Sequence, residues 1–256
     1  MLYHPLEAAI DILTILLAGL ILFVAYFIRG ISGFGSGLVA IPLLAHLLPL
    51  QFVVPWILLL DFTASVALGG RSQDRQAICW REIGWLLPTT LLGILIGATL
   101  LVNLPKAPLL IGLGLFVAAF GLRSLLFMHG DSPVSHWWSL PAGTVGGIVG
   151  AMFGTGGPPY VIYLSRRIHN KRQLRATFSG LFIIDGGLRV IIFAFSGLLN
   201  QQTLLLACLV GLPVLVLGLY IGHRIHLGLS NKDMTRIIGL ILLVSGSSLL
   251  IKGLAS

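Results

Sequence analysis

Arg29-Gly30-Ile31-Ser32-Gly33-Phe34-Gly35-Ser36-Gly37 breaks one long apolar stretch, and Gly154-Thr155-Gly156-Gly157-Pro158-Pro159 breaks another. Gly33 and Gly35 recur as Gly154 and Gly156 at an offset of 121 residues. Inside a bilayer every backbone N–H and C=O must find a partner within the protein. A Gly/Pro break is tolerated there only where it is buried or lines a cavity. Paired breaks at corresponding places in two halves of a chain point to a transporter's binding site.

The surrounding composition makes the bilayer the solvent. Of 256 residues, 57% are hydrophobic and 9% charged, and mean hydropathy is +1.01. A water-soluble core does not need that much apolar surface. The net charge of +8 comes with no basic helix and no aromatic-basic platform, so a nucleic-acid partner is not implied. Cys79 and Cys208 give neither a disulfide framework nor a metal-ligand cluster. They read as small packed residues, with a redox or sulfur-chemistry role as the alternative.

Ten apolar segments are expected, near 11–28, 34–50, 52–70, 84–102, 108–126, 138–153, 157–165, 176–197, 203–221 and 234–254. The segment 157–165 is too short to cross as a straight helix and reads as half of a broken one. Its counterpart is 34–50, with Pro42 and Pro49 expected to stop it. Residues 1–11 carry Glu7 and Asp11 but no Lys or Arg, so 12–28 reads as a spanning helix rather than a cleavable leader. With alternating crossings, 29–33, 71–83, 123–137, 166–175 and 222–236 fall on the cytoplasmic side. They hold 13 of the 16 Lys and Arg residues, against Lys106 and Lys252 outside and Arg189 within a segment. This places both termini outside. Trp80, Trp85, Trp137 and Trp138 fit the inner interface, and Trp56 the outer one.

Further markers repeat in order. Leu60-Asp61 matches Ile184-Asp185, and Pro88, Gly93 and Gly97 match Pro213, Gly218 and Gly222. Ile111-Gly112 matches Ile238-Gly239. Five segments per half is an odd number, so the second copy must be inverted. The expected fold is an all-α polytopic membrane protein of two inverted-topology repeats, 1–130 and 131–256, with helices broken at the glycine motifs. Together they form one integral membrane domain.

The candidate binding residues are Gly33, Phe34, Gly35, Ser36 and Gly37 in the first break, and Gly154, Thr155, Gly156 and Gly157 in the second. Glycine lets successive N–H groups face one concavity, and the following half-helix adds its positive end. That arrangement suits an anion. Tight helix packing through small residues is the other reading, and it is the one that fits Gly93-x-x-x-Gly97 and Gly218-x-x-x-Gly222. Arg189 lies four residues after Asp185, on the same helical face. Either the two form a structural ion pair, or Arg189 meets an anion while an aspartate exchanges a proton. Ser65 stands opposite Arg189, so a cation is expected on one side only. Asp61 shows no local partner; with Asp185 it is a candidate for proton coupling, and a helix-packing hydrogen bond is the other reading open to it. His46, after the first break, could titrate, but a lone His in an apolar segment usually packs. The basic run 166–175 reads as a topogenic loop that also meets anionic lipid.

No metal or cofactor is called for. No HExxH or nucleophile–base set occurs, and Gly154–Gly157 lacks the lysine of a P-loop. An enzyme is therefore not expected.

These motifs carry a resemblance. Arg29 through Gly37, Pro42, and Gly154-Thr155-Gly156-Gly157-Pro158 resemble the sulfite exporter TauE/SafE family, also called the toluene sulfonate uptake permease family, over about residues 12–254. The resemblance implies a multi-pass permease of the bacterial inner membrane that moves sulfite, organosulfonates or other small sulfur-containing anions by alternating access. Ser36 departs from it, since many members have another glycine there; its hydroxyl could donate to the anion. The resemblance leaves open the anion, the direction, proton coupling and whether the chain is a homodimer. The rival readings are an anion channel and a non-transporting assembly partner.

Overall fold

The structure is a computed structural model that describes residues 12–32, 35–69, 76–126, 134–224 and 231–255. It is all-helical, with no strand among the described residues. In chain order the helices are α1 (Ile12–Ser32), α2 (Ser36–Leu44), α3 (Leu50–Gly69), α4 (Trp80–Asn103), α5 (Lys106–Leu125), α6 (Ser139–Phe153), α7 (Gly157–Arg167), α8 (Lys171–Phe195), α9 (Gln202–Arg224) and α10 (Asn231–Leu254). Gly33, Phe34, the 130/131 boundary, residues 1–11 with their topology signal, and Arg71 and Arg75 lie outside the described residues.

Six helices, α1, α3, α4, α5, α8 and α9, are long and apolar enough to cross a membrane. Their Leu, Ile and Val side chains face outward as well as inward. Leu13, Leu16 and Leu20 on α1 are exposed, as are Leu205, Leu209 and Leu217 on α9. Such a belt suits the hydrocarbon of a bilayer. This is a multi-pass membrane protein. At 1.5 Å per residue α2 is about 13 Å long and α7 about 16 Å, against a hydrocarbon core of about 30 Å.

Small residues set the closest crossings. A methyl on Gly97 would lie 2.5 Å from the Ile148 carbonyl oxygen, and Gly93 abuts Gly147, so α4 and α6 touch along their backbones. Gly218 and Gly222 do the same for α9 against Phe23, Phe27 and Gly30 of α1. Gly114 and Gly121 meet Gly246 and Gly239 between α5 and α10. Without a hydrophobic force between helices in lipid, such close backbone packing is what holds them together. Helix α3 lies at the centre, against α2, α8 and α9.

Three local expectations are corrected. Helix α2 runs through Pro42 and ends at Leu44, so this proline does not stop it; the turn after it ends at Pro49. Lys252 on α10 donates to the carbonyl oxygens of Ala45 (3.3 Å) and His46 (2.8 Å), closing the C-terminal end of α2. Trp56 is buried rather than interfacial, whereas Trp80, Trp85, Trp137 and Trp138 are exposed. Arg29 belongs to the last turn of α1 and is 9% exposed. It is not a loop charge.

Candidate functional site

The first break turns at Gly35, whose φ of 94° is left-handed and caps the start of α2. The second turns at Gly154, whose φ of 62° ends α6, three residues before α7 begins. A side chain is strained at both positions. The breaks touch: a methyl on Gly37 would sit 2.6 Å from the Gly154 carbonyl oxygen. Both open onto one cavity of about 500 Å³. Gly35, Ser36, Gly37, Gly154, Thr155, Gly156, Gly157, Asp61, Asp185 and Arg189 all line it. The sequence residues nominated for the site, apart from the two outside the described residues, are thus brought together.

The starts of α2 and α7 differ as anion donors. Ser36, Gly37 and Leu38 of α2 all keep a backbone N–H. In the first turn of α7, Pro158 and Pro159 have none, so Gly157 alone supplies one before Tyr160. Proline tolerates these positions because their donors lack helical partners anyway.

Each half places an arginine–aspartate pair beside its break. On α8, Arg189 Nη2 lies 2.6 Å from Asp185 Oδ2, four residues apart, and Arg189 Nη1 donates to the Gly150 carbonyl at 2.9 Å. Tyr160 of α7 donates its hydroxyl to Asp185 Oδ1 at 3.2 Å. Asp185 is 1% exposed and Arg189 8%, so each charge is tolerable only beside the other.

The first half holds a pair that sequence reading missed. Arg29 Nη1 of α1 lies 2.7 Å from Asp61 Oδ1 on α3. The same oxygen accepts from Ser36 Oγ at 2.7 Å and from Tyr26 at 2.9 Å. Arg29 also donates to Ser65 Oγ at 2.8 Å and to Ser36 Oγ at 3.1 Å. Asp61 therefore has a partner, and there is a cation on both sides of the cavity. In the first half it comes from α1, not from the helix that carries the aspartate. Ser36 spends its hydroxyl on Asp61 rather than offering it to a ligand. The missed signal was the carboxylate itself: a lone intramembrane Asp demands a cation, and Arg29 was the nearest one inside an apolar run.

Among the described residues, three of the buried side-chain donors without a hydrogen-bond partner stand at the cavity. They are Thr155 Oγ1, Arg29 Nε and Arg189 Nε, and their side chains all line the cavity. Thr155 is 2% exposed. An unpaired buried donor is costly, and an oxyanion would satisfy all three.

A separate polar cluster fastens α7 to α4. Arg167 donates to Glu82 Oε1 from Nη2 (3.1 Å) and Nε (3.3 Å), and to the Val134 carbonyl. Tyr163 donates to Glu82 Oε2 at 2.7 Å. Arg167 is thus more than a topogenic charge.

Two curated relatives resemble the chain. A probable inner membrane transporter protein, TsaS of Comamonas testosteroni, is 29% identical over 194 residues, covering 75% of this chain and 80% of the relative. A probable sulfite/organosulfonate exporter, TauE of Cupriavidus necator, is 26% identical over 242 residues, covering 90% of this chain and 91% of the relative. No solved structure matches significantly. The sulfite exporter TauE/SafE family model matches residues 17–249, nearly the whole span in which both breaks, both ion pairs and the cavity lie, and the chain belongs to that family of membrane transporters.

Proposed function

We propose that the protein is a secondary transporter that exports sulfite, an organosulfonate or a related small sulfur-containing anion across the bacterial inner membrane by alternating access. The observation that carries this reading is the convergence of two glycine breaks, two arginines and three unpartnered buried donors on one cavity. The names of the two relatives support the substrate class and the inner membrane, and that of the second supports the direction. Against a potential that is negative inside, anion export is downhill by about 2.3 kcal/mol per charge per 100 mV.

The binding residues are the backbones of Gly33, Phe34, Gly35, Ser36 and Gly37 and of Gly154, Thr155, Gly156 and Gly157, with the Thr155 hydroxyl and Arg189. Arg29 joins them. An arriving oxyanion competes with Asp61 and Asp185 for their arginines. A carboxylate that loses its arginine takes up a proton more readily, so these two aspartates are the groups able to couple protons to transport.

The architecture proposed is two inverted repeats, α1–α5 in residues 1–130 and α6–α10 in 131–256, with helices broken at the motifs and both termini outside. The packing supports this reading. Exchanging each helix with its counterpart turns α1·α9 into α6·α4, α3·α9 into α8·α4, and α1·α2 into α6·α7. It leaves α3·α8 and α5·α10 as they are.

The test is counterflow in proteoliposomes with sulfite, thiosulfate, sulfate, sulfoacetate, taurine and chloride. We expect saturable exchange of a sulfur anion, lost in Gly35→Leu and Gly156→Leu proteins that remain monodisperse. Conduction without saturation would favour a channel, and no flux of any sulfur anion would remove the substrate class. Rates that are indifferent to external pH and intact in Asp61→Asn would exclude coupling through Asp61.

A further inference from the structure

The charges that line the cavity are not balanced evenly along it. At the buried end, Arg29 faces Asp61 and Arg189 faces Asp185, so each cation has its own counter-ion. Two more arginines line the same cavity, Arg123 in the last turn of α5 and Arg166 in the last turn of α7. Both are half-buried, and the neighbouring His169 is exposed, which puts them at the mouth. Neither arginine has an ion-pair or hydrogen-bond partner among the described residues. Among the described residues, the positive charge of the cavity that has no counter-ion is therefore at its entrance. Each arginine is also followed or preceded by a serine that lines the cavity, Ser124 and Ser165. Phe62, Phe120 and Phe182 also line the cavity.

A bland explanation exists for each arginine. A cation in the last turn complements the helix dipole, and positive charge on one side sets topology. Neither role requires the two side chains to line one cavity. Arg172, Arg175 and Arg224 carry the same charge without lining it, and Arg167 is spent on Glu82.

We infer that Arg123 and Arg166 form a second oxyanion site at the mouth, where a small, multiply charged oxyanion is held before it passes to the breaks. The inference deepens the transporter reading and rests on it. A low-dielectric cleft lined by one sign of charge concentrates the opposite ion and raises association rates by roughly 10- to 1,000-fold. The charged headgroup of an anionic lipid offers the same chemistry as a free oxyanion, so both sources must be tested.

The experiment measures initial rates of sulfite exchange in phosphatidylcholine vesicles for the natural protein, for Arg123→Gln/Arg166→Gln and for Arg123→Lys/Arg166→Lys. At low ionic strength the Gln pair should raise KM about tenfold with kcat unchanged. The gap should close in high KCl, and the Lys pair should restore most of the loss. An unmoved KM, or a loss confined to kcat, overturns the mouth site while leaving exchange intact. Phosphatidylglycerol vesicles separate the sources. A KM raised there for the natural protein but not for the Gln pair shows a headgroup competing with the free anion. Inhibition there without any KM effect of the Gln pair in phosphatidylcholine makes the headgroup the sole occupant and overturns the free-anion site. If the natural protein exchanges no sulfur anion, the transporter reading falls, and binding of radiolabelled sulfate in phosphatidylcholine nanodiscs decides this inference separately. Bound sulfate lost in the Gln pair sustains it, and no difference ends it.

Discussion

Removing the Arg29 guanidinium would strand Asp61 with only hydroxyl partners. Breaking a buried ion pair on one side typically costs more than deleting both members. Arg29→Gln should therefore destabilise the protein by about 2–4 kcal/mol, and adding Asp61→Asn should recover most of that. Thermal melts in detergent would show this as a lowered Tm that the double variant restores. Thr155 tests the other role of the site. Its buried hydroxyl has no partner, so Thr155→Val should leave the Tm unchanged or raised. It should weaken anion binding about fivefold, the worth of one hydrogen bond of about 1 kcal/mol. A lower Tm with unchanged affinity would make Thr155 a packing residue. At this scale the sequence showed which residues were chemically expensive, and the structure supplied their partners. Asp185 and Arg189 were legible because four residues on a helix make one face. Arg29 and Asp61 were not, because 32 residues and the whole of α2 separate them, and only the packing of α1 and α3 against α2 and α9 brings them together. Tyr26 and Tyr160 were invisible for the same reason.

The elements were more legible than their contacts. All ten expected segments coincide with helices, since a long apolar run bounded by Gly, Pro or charge leaves the backbone few alternatives in lipid. Pro42 shows where local reading fails. A proline in a nine-residue helix costs little when so few of the backbone bonds lie within the element and Lys252 satisfies carbonyls beyond its end. The helix crossings give a sharp expectation. A Cβ on Gly147 would strike the Thr90 carbonyl and approach Ile94 N at 2.9 Å. Gly147→Leu should thus push α6 off α4 and cost at least about 1–3 kcal/mol as overpacking does. Loss of monodispersity in size-exclusion chromatography would report it. Gly84→Leu is the control, because nothing lies near that position, and it should behave as the natural protein does.

For the whole molecule, the proposed topology is tested by reporters. Alkaline phosphatase fused after Ser256 should be active, because it folds only on the outer side, and a fluorescent protein in the same place should be dark. The reverse pattern would turn the molecule over and, with it, the mouth of the cavity. The pairing of helices carries a further consequence, for biogenesis. Helix α1 packs on α9, and α4 packs on α6, so α1 finds its main seat only when α9 has arrived. Until then its glycine face and Arg29 wait in the bilayer, a period in which membrane proteases and insertases can reach them. Neither half can complete its packing alone. The Arg29 guanidinium, in turn, meets its aspartate only when Asp61 emerges 32 residues later.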